Sequence, residues 1–201
     1  MFTLNVPLVL ASRSPRRSAL LRRLGIPFVV YPSLVEEVWP EDDLPGAAVE
    51  SLALQKAQPV ALVHPEALTL GADTVVMLED RVMEKPRSEG DAHRMLSLLS
   101  GKTHTVYTGL ALIHLSSGLS VTSNEATHVT FAELTYDEIS RYVATGSPMD
   151  KAGAYGIQDD YGALFVSRID GDYYNVVGLP FHRLYRMLTE HFADLLSESD
   201  A

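Results

Sequence analysis

The sequence contains no cysteine. That excludes disulfides, thiolate zinc sites and a cysteine nucleophile, and it leaves the redox compartment open. No apolar run approaches ~20 residues, so no membrane span is expected. No low-complexity tract or internal repeat is visible. Positive charge is scarce: 16 Lys and Arg stand against 26 Asp and Glu, a formal net charge of −10. A domain this acidic is a poor general binder of nucleic acid, because that binding is driven by phosphate neutralisation. No stable nucleic-acid partner is therefore expected. There is no Gly-x-Gly-x-x-Gly after a strand. Ser100-Gly101-Lys102-Thr103 holds a Gly-Lys-Thr fragment, but a phosphate-binding Walker loop needs glycine where Leu96 stands. The seven histidines show no metal-ligand spacing. Ser12 and Ser14 have no histidine partner in a triad pattern, which disfavours serine hydrolysis.

What is present is a 201-residue chain with 46% hydrophobic residues, enough for a sizeable core in one domain. The acid-free start, rich in arginine and serine, has the composition of a mitochondrial transit peptide. The same residues read cleanly as strand, loop and helix, which is the reading adopted. A short strand is expected at 8–11, then a helix capped by Ser14, with Pro15 at its first position and Gly25 closing it. A second strand follows at 28–31, then an acidic, proline-flanked loop at 35–45. A helix over 46–58 should be stopped by Pro59. Strands are expected at 68–78, 103–114 and 119–131, the last two forming a hairpin across Ser116-Ser117-Gly118. Capping boxes at Ser88 and Thr135 open helices that stop at Gly101 and Gly146. A second hairpin is expected from 164–169 and 173–177 around Asp170-Gly171. Phe181, Leu184, Leu188, Phe192 and Leu195 mark a C-terminal amphipathic helix. Crossover and hairpin strands together imply α/β with a mixed sheet.

Several residues stand out as chemistry. Ser12-Arg13-Ser14-Pro15-Arg16-Arg17 sits where a strand meets a helix. Helix N-termini offer unpaired N–H groups and a positive dipole end. Arginines and hydroxyls there make an anion site, and phosphate is the obvious anion. The alternative is a solvated basic loop with a serine cap. Lys56 falls inside the apolar stripe set by Val49, Leu52 and Ala53, so it must snorkel outward or meet a negative charge. Asp73 interrupts the apolar strand Leu70-Gly71-Ala72-Asp73-Thr74-Val75-Val76-Met77. A carboxylate there is costly unless paired or bound to metal. Gly71 and Ala72 beside it would leave room for a ligand. A structural ion pair is the plain alternative. Lys85, in Glu84-Lys85-Pro86, and Lys151, in Asp150-Lys151-Ala152-Gly153-Ala154-Tyr155-Gly156-Ile157-Gln158, add two cations in irregular settings. With Arg16, Arg17 and Lys56 they supply the several positive groups a triphosphate needs.

These four motifs, in this order and ending in Val176-Val177-Gly178-Leu179-Pro180, resemble the Maf family of nucleoside triphosphate pyrophosphatases. The resemblance runs over residues 8–180. It implies an elongated mixed sheet with flanking helices around a central cleft, similar to the inosine triphosphate pyrophosphatase-like fold. It implies one domain over residues 1–201, with two lobes about the cleft and a disordered tail at 197–201. It also implies cleavage between the α- and β-phosphates with Mg²⁺ or Mn²⁺, in a cytoplasmic homodimer. Asp73 matches the family's proton acceptor, and Arg16, Thr74 and Gln158 match positions linked to substrate choice. The Tyr-Gly-Ile-Gln ending is similar to the subgroup that prefers dTTP and UTP. Arg13 fills a position often held by a small residue such as glycine.

The mechanism that follows has Ser12, Arg16, Arg17, Lys56, Lys85 and Lys151 holding the triphosphate. Asp73 and Glu37 hold the divalent ion, and Thr74 and Gln158 read the base. Two other readings compete. One keeps the chemistry but changes the base to 7-methyl-GTP or another modified nucleotide. The other is a nucleotide-sensing regulator of septum formation or cell division.

Overall fold

The structure is a computed structural model, and it describes residues 2–40, 43–159 and 161–198. The strands are β1 (Phe2–Leu4), β2 (Leu8–Leu10), β3 (Phe28–Val30), β4 (Leu68–Leu78), β5 (Arg81–Met83), β6 (Thr103–His114), β7 (Leu119–Phe131), β8 (Val166–Asp170) and β9 (Leu196–Glu198). The helices are α1 (Pro15–Arg23), α2 (Pro45–Val63), α3 (Glu89–Leu99), α4 (Tyr136–Ala144), α5 (Gly162–Phe165), α6 (Tyr173–Val177) and α7 (Phe181–His191). The main sheet hydrogen-bonds in the order β3-β2-β4-β6-β7-β8, with β5 on β4. Strand β2 is parallel to β3 and β4, whereas β4–β5 and β7–β8 are antiparallel. The expected mixed α/β sheet is therefore present. Among the described residues no helix is long and apolar enough to cross a membrane.

The chain forms two compact units. One comprises Met1–Asp73, Thr108–Glu125 and Gly178–Ala201; the other comprises Thr74–Tyr107 and Ala126–Val177. In the first unit, β2 and the start of β4 form the parallel centre of the sheet, with Leu8, Leu10, Leu68 and Leu70 buried. Helix α2 buries Ala53, Ala57 and Ala61 against Ala111 and Ile113 of β6. Small side chains on both sides let the backbones approach closely. A Cβ on Gly71 would lie 2.2 Å from the Ala53 carbonyl oxygen, and one on Gly109 would lie 2.1 Å from that of Val49. The second unit packs α3 against α4 and surrounds Phe131 with His104, Tyr155 and Phe165.

Four expectations are corrected. Helix α2 does not stop at Pro59 but runs to Val63. Proline removes one amide and clashes with the preceding turn. Here Pro59 is exposed, while Val60 and Ala61 are buried and hold the last turn in place. The hairpin around Asp170-Gly171 is absent: only β8 is a strand, and Tyr173–Val177 is the helix α6. The Asp172 carboxylate caps that turn by accepting from the Tyr174 N–H at 2.7 Å. The Asn175 side-chain amide donates to the Val106 carbonyl and to Thr127 Oγ1. The C-terminal helix ends at His191, and Leu195 lies in a 3₁₀ turn. Ser197 and Glu198, expected in a disordered tail, belong to β9, which pairs antiparallel with β1. Residues 199–201 of that tail lie outside the described residues.

Candidate active site

In the first unit, charge is concentrated by α1 and β4. The Ser14 side chain caps α1, Pro15 takes the first position, and no acidic residue occupies the first turn. The dipole end thus faces a basic loop rather than the usual Asp or Glu. Ser12 Oγ accepts from the Ser14 N–H and from Arg17 Nη1, each at 3.2 Å. Arg17 is buried, and its Nε donates to the Gly178 carbonyl at 2.9 Å. Burial pulls the Arg17 pKa down, Asp73 and Glu37 push it up, and Arg16 lowers it further. A guanidinium nevertheless stays charged in a protein. Arg16 is half-buried and Arg13 is exposed.

Strand alternation places Gly71 and Asp73 on one face of β4. The room that Gly71 leaves is taken by the α2 backbone at Ala53, not by a ligand, which corrects the sequence reading of that glycine. The same close approach sets Lys56 of α2 against Asp73. Lys56 Nζ lies 2.5 Å from Asp73 Oδ1 and 3.0 Å from Glu37 Oε2. The Lys56 and Asp73 side chains are only 15% and 12% exposed, whereas Glu37 is 42% exposed. The lysine in the apolar stripe therefore meets a negative charge instead of snorkelling outward. Removing Lys56 would take this partner from the nearly buried Asp73, a loss of up to about 3–5 kcal/mol in such settings, whereas removing Asp73 leaves Lys56 paired with Glu37.

Two carboxylates that already share one cation are a donor set suited to Mg²⁺ or Mn²⁺. Such ions take hard oxygen ligands and are held by one or two carboxylates plus substrate phosphates. Among the described residues no group of three or more His, Asp or Glu gathers to hold a metal. On their chemistry, the Asp73–Glu37 pair fits an ion whose remaining ligands are phosphate oxygens and water.

The second unit brings two of the sequence motifs together. The Gly153 N–H donates to the Glu84 carbonyl at 3.2 Å, joining the 150–158 segment to Glu84-Lys85-Pro86. Gly153 has φ +70°, and a Cβ there would lie 3.1 Å from Val76, so glycine suits both the turn and the space. Lys85 is exposed and lines a pocket of about 360 Å³ with Arg81, Glu84, Arg87 and Arg94. Lys151 is buried. Its Nζ lies 2.5 Å from the Ser147 carbonyl, 2.7 Å from Asp150 and 3.1 Å from Asp159. Asp159 also accepts from Ser147 Oγ at 2.6 Å, Tyr142 OH at 3.2 Å and the exposed Gln158 at 2.9 Å. Burial pushes the Tyr142 hydroxyl up to about 12, so it remains a donor. The loop that carries Gln158 is thus fixed from below by Lys151 and Asp159.

The structure therefore brings Ser12, Arg17, Lys56, Asp73 and Glu37 into one charged cluster in the first unit. Thr74 follows Asp73 directly on β4 and is half-buried. Sequence reasoning missed Asp159, Ser147, Tyr142 and the Gly178 carbonyl. Asp159 follows Gln158 and could have been suspected as a partner for Lys151. The other three have no local signal, because they matter only through tertiary contact.

The family model described as "Maf-like protein" matches residues 7–191. A relative from Salinibacter ruber named dTTP/UTP pyrophosphatase is 49% identical over 201 residues, covering 100% of this chain and 98% of that one. A Moorella thermoacetica protein of the same name is 54% identical over 181 residues, 90% of this chain and 93% of that one. One from Bacillus cytotoxicus, also so named, is 53% identical over 182 residues, 90% and 94% of the two chains. Among solved structures, the Staphylococcus aureus Ham1 protein is similar over 63% of this chain and 72% of that one, at 10% identity and a TM-score of 0.45.

Proposed function

The chain belongs to the Maf family, and from that premise we propose that it hydrolyses dTTP and UTP to the monophosphate and pyrophosphate. The observation that carries the reading is the cluster in the first unit, where Lys56 bridges Asp73 and Glu37 and Arg17 lies in the field of both acids. Three relatives named dTTP/UTP pyrophosphatase, each about half identical to this chain, support the substrate class.

Ser12, Arg16, Arg17 and the N-terminus of α1 bind the phosphates. Lys56 adds a mobile positive charge on a flexible stem. Asp73 and Glu37 would hold Mg²⁺ or Mn²⁺. When bound, such an ion neutralises phosphate charge and lowers the pKa of water. Asp73 accepts the proton as water attacks the α-phosphorus. The bond to the bridging α,β-oxygen breaks, and pyrophosphate leaves with the electron pair. Thr74, Lys85 and Gln158 are assigned to the substrate from the motif pattern, Thr74 and Gln158 to the base. A site that hydrogen-bonds a base edge rejects a base that would leave its polar groups unpaired. Lys151 is a positioning residue that, with Asp159, fixes the loop bearing Gln158. The reading extends to a cytoplasmic homodimer, which gel filtration and light scattering would test.

The deciding assay incubates purified protein and Mg²⁺ or Mn²⁺ with dTTP, UTP, CTP, GTP and 7-methyl-GTP. Phosphate is read with and without added inorganic pyrophosphatase. Signal that needs the added enzyme and is strongest for dTTP and UTP is expected. The same dependence with 7-methyl-GTP best would keep the chemistry and replace the substrate. No pyrophosphate from any nucleotide would remove the enzymatic reading.

A further inference from the structure

Lys56 occupies the oxygens that the divalent ion would need. Its ammonium sits at 2.5 Å from Asp73 and 3.0 Å from Glu37, largely shielded from water. Lys56 takes one oxygen of each carboxylate, and a divalent cation on the same two acids would be repelled by its ammonium, most strongly at the nearly buried Asp73. Together with Arg17, the four side chains are formally neutral as they stand. A divalent ion arriving alone would have to compete with Lys56 for acids whose charge Lys56 and Arg17 already offset. A metal–nucleotide complex differs, because its phosphates give the displaced ammonium a new partner.

We propose that Lys56 is a resident substitute for the divalent ion, held by Asp73 and Glu37 until the nucleotide's phosphates draw it away. The metal then enters with the nucleotide rather than before it. Binding of metal and nucleotide is thereby coupled through one lysine, and the coupling is reciprocal. Without nucleotide, Asp73 stays paired with Lys56 and does not act on water. This inference rests on the assignment of Asp73 and Glu37 as the metal-holding pair.

The test measures Mn²⁺ binding by electron paramagnetic resonance of the free ion, on the whole chain without nucleotide. Lys56→Met and Lys56→Gln should bind Mn²⁺ about tenfold or more tightly than wild type, whereas Lys56→Arg should not. Adding uridine α,β-imidotriphosphate, whose α–β bridge resists hydrolysis, should tighten Mn²⁺ binding to wild type by about the same factor after subtraction of the Mn²⁺ that the analogue holds without protein, and should tighten it much less in Lys56→Met. Wild type that binds Mn²⁺ without nucleotide as tightly as both neutral variants overturns the proposal and leaves the metal site standing. Wild type that binds no Mn²⁺ even with the analogue removes the metal site, and this proposal with it. Thermal unfolding of wild type gives a check that needs no variant. Mn²⁺ alone, without the analogue, should leave the melting temperature nearly unchanged. A full shift from Mn²⁺ alone would overturn the displacement.

Discussion

Acid should loosen the second unit through one histidine, and the size of the effect can be worked out. His104 on β6 is 2% exposed. Its Nε2 is 2.8 Å from the Tyr155 hydroxyl, and its Nδ1 has no hydrogen-bond partner. Phe131 and Tyr155 pack edge-on against the ring. Burial lowers its pKa from 6.5 to about 4. In the unfolded chain the imidazole takes up its proton as pH falls through 6.5; in the folded chain it does so only near 4. The unfolded state therefore binds more protons throughout that window, and stability falls as pH drops from 6.5 to about 4. Above 6.5 the two states bind alike and the term vanishes. At ~1.4 kcal/mol per pH unit, the full loss is about 3 kcal/mol, with about 2 kcal/mol gone by pH 5. Against the roughly 5–15 kcal/mol typical of a domain, this is large enough to measure. Urea unfolding of wild type and His104→Gln at pH 8, 6, 5 and 4.5 isolates it. Carboxylates titrate in both proteins and cancel in the difference. The variant should lose less stability than wild type on acidification, by about 2 kcal/mol at pH 5. Parallel curves for the two proteins would refute the reasoning.

Two substitutions probe the first unit. Asp73→Asn should cut kcat by about a thousandfold or more while circular dichroism stays native, since Asn can still accept from Lys56; near-normal turnover would remove Asp73 from the chemistry. Gly71→Ala should cost about 3 kcal/mol or more by urea unfolding, because its Cβ would lie 2.2 Å from the Ala53 carbonyl, backbone that cannot yield as a side chain does. An unchanged midpoint would show that α2 and β4 are less tightly joined than described.

Much of this was legible because local signals agreed with tertiary demands. The bounds of β4 and β6 follow from apolar runs, those of the more polar β7 from the Ser116-Ser117-Gly118 turn before it, and the caps at Ser14, Ser88 and Thr135 are all made. Lys56 and Asp73 were visible as charges inside apolar stretches, and the structure pairs them with each other. Glu37 carried no such mark: it lies in an acidic loop where neighbouring acids look the same, and it entered only with the mechanism, as a second acid for the metal. The pairing of β1 with β9 joins residues 194 apart through short, unremarkable segments. Helix α6 is too short for its period to register, and Asp170-Gly171 imitates a hairpin turn. Pro59 misled because exposure, not sequence, decides whether a proline ends a helix or merely costs it one bond.

The hydrogen bond from Arg17 to the Gly178 carbonyl spans 161 residues. Translation therefore makes Arg17 long before the partner that orients it. The second unit has all its residues once Val177 has been added, whereas the first still awaits the stretch that begins at Gly178. A nascent or prematurely terminated chain would thus carry every charged residue of the first-unit cluster and still lack the carbonyl that aims Arg17. Competence of the proposed site would wait until Gly178 has been added, so fragments ending before it would be poor consumers of nucleotides.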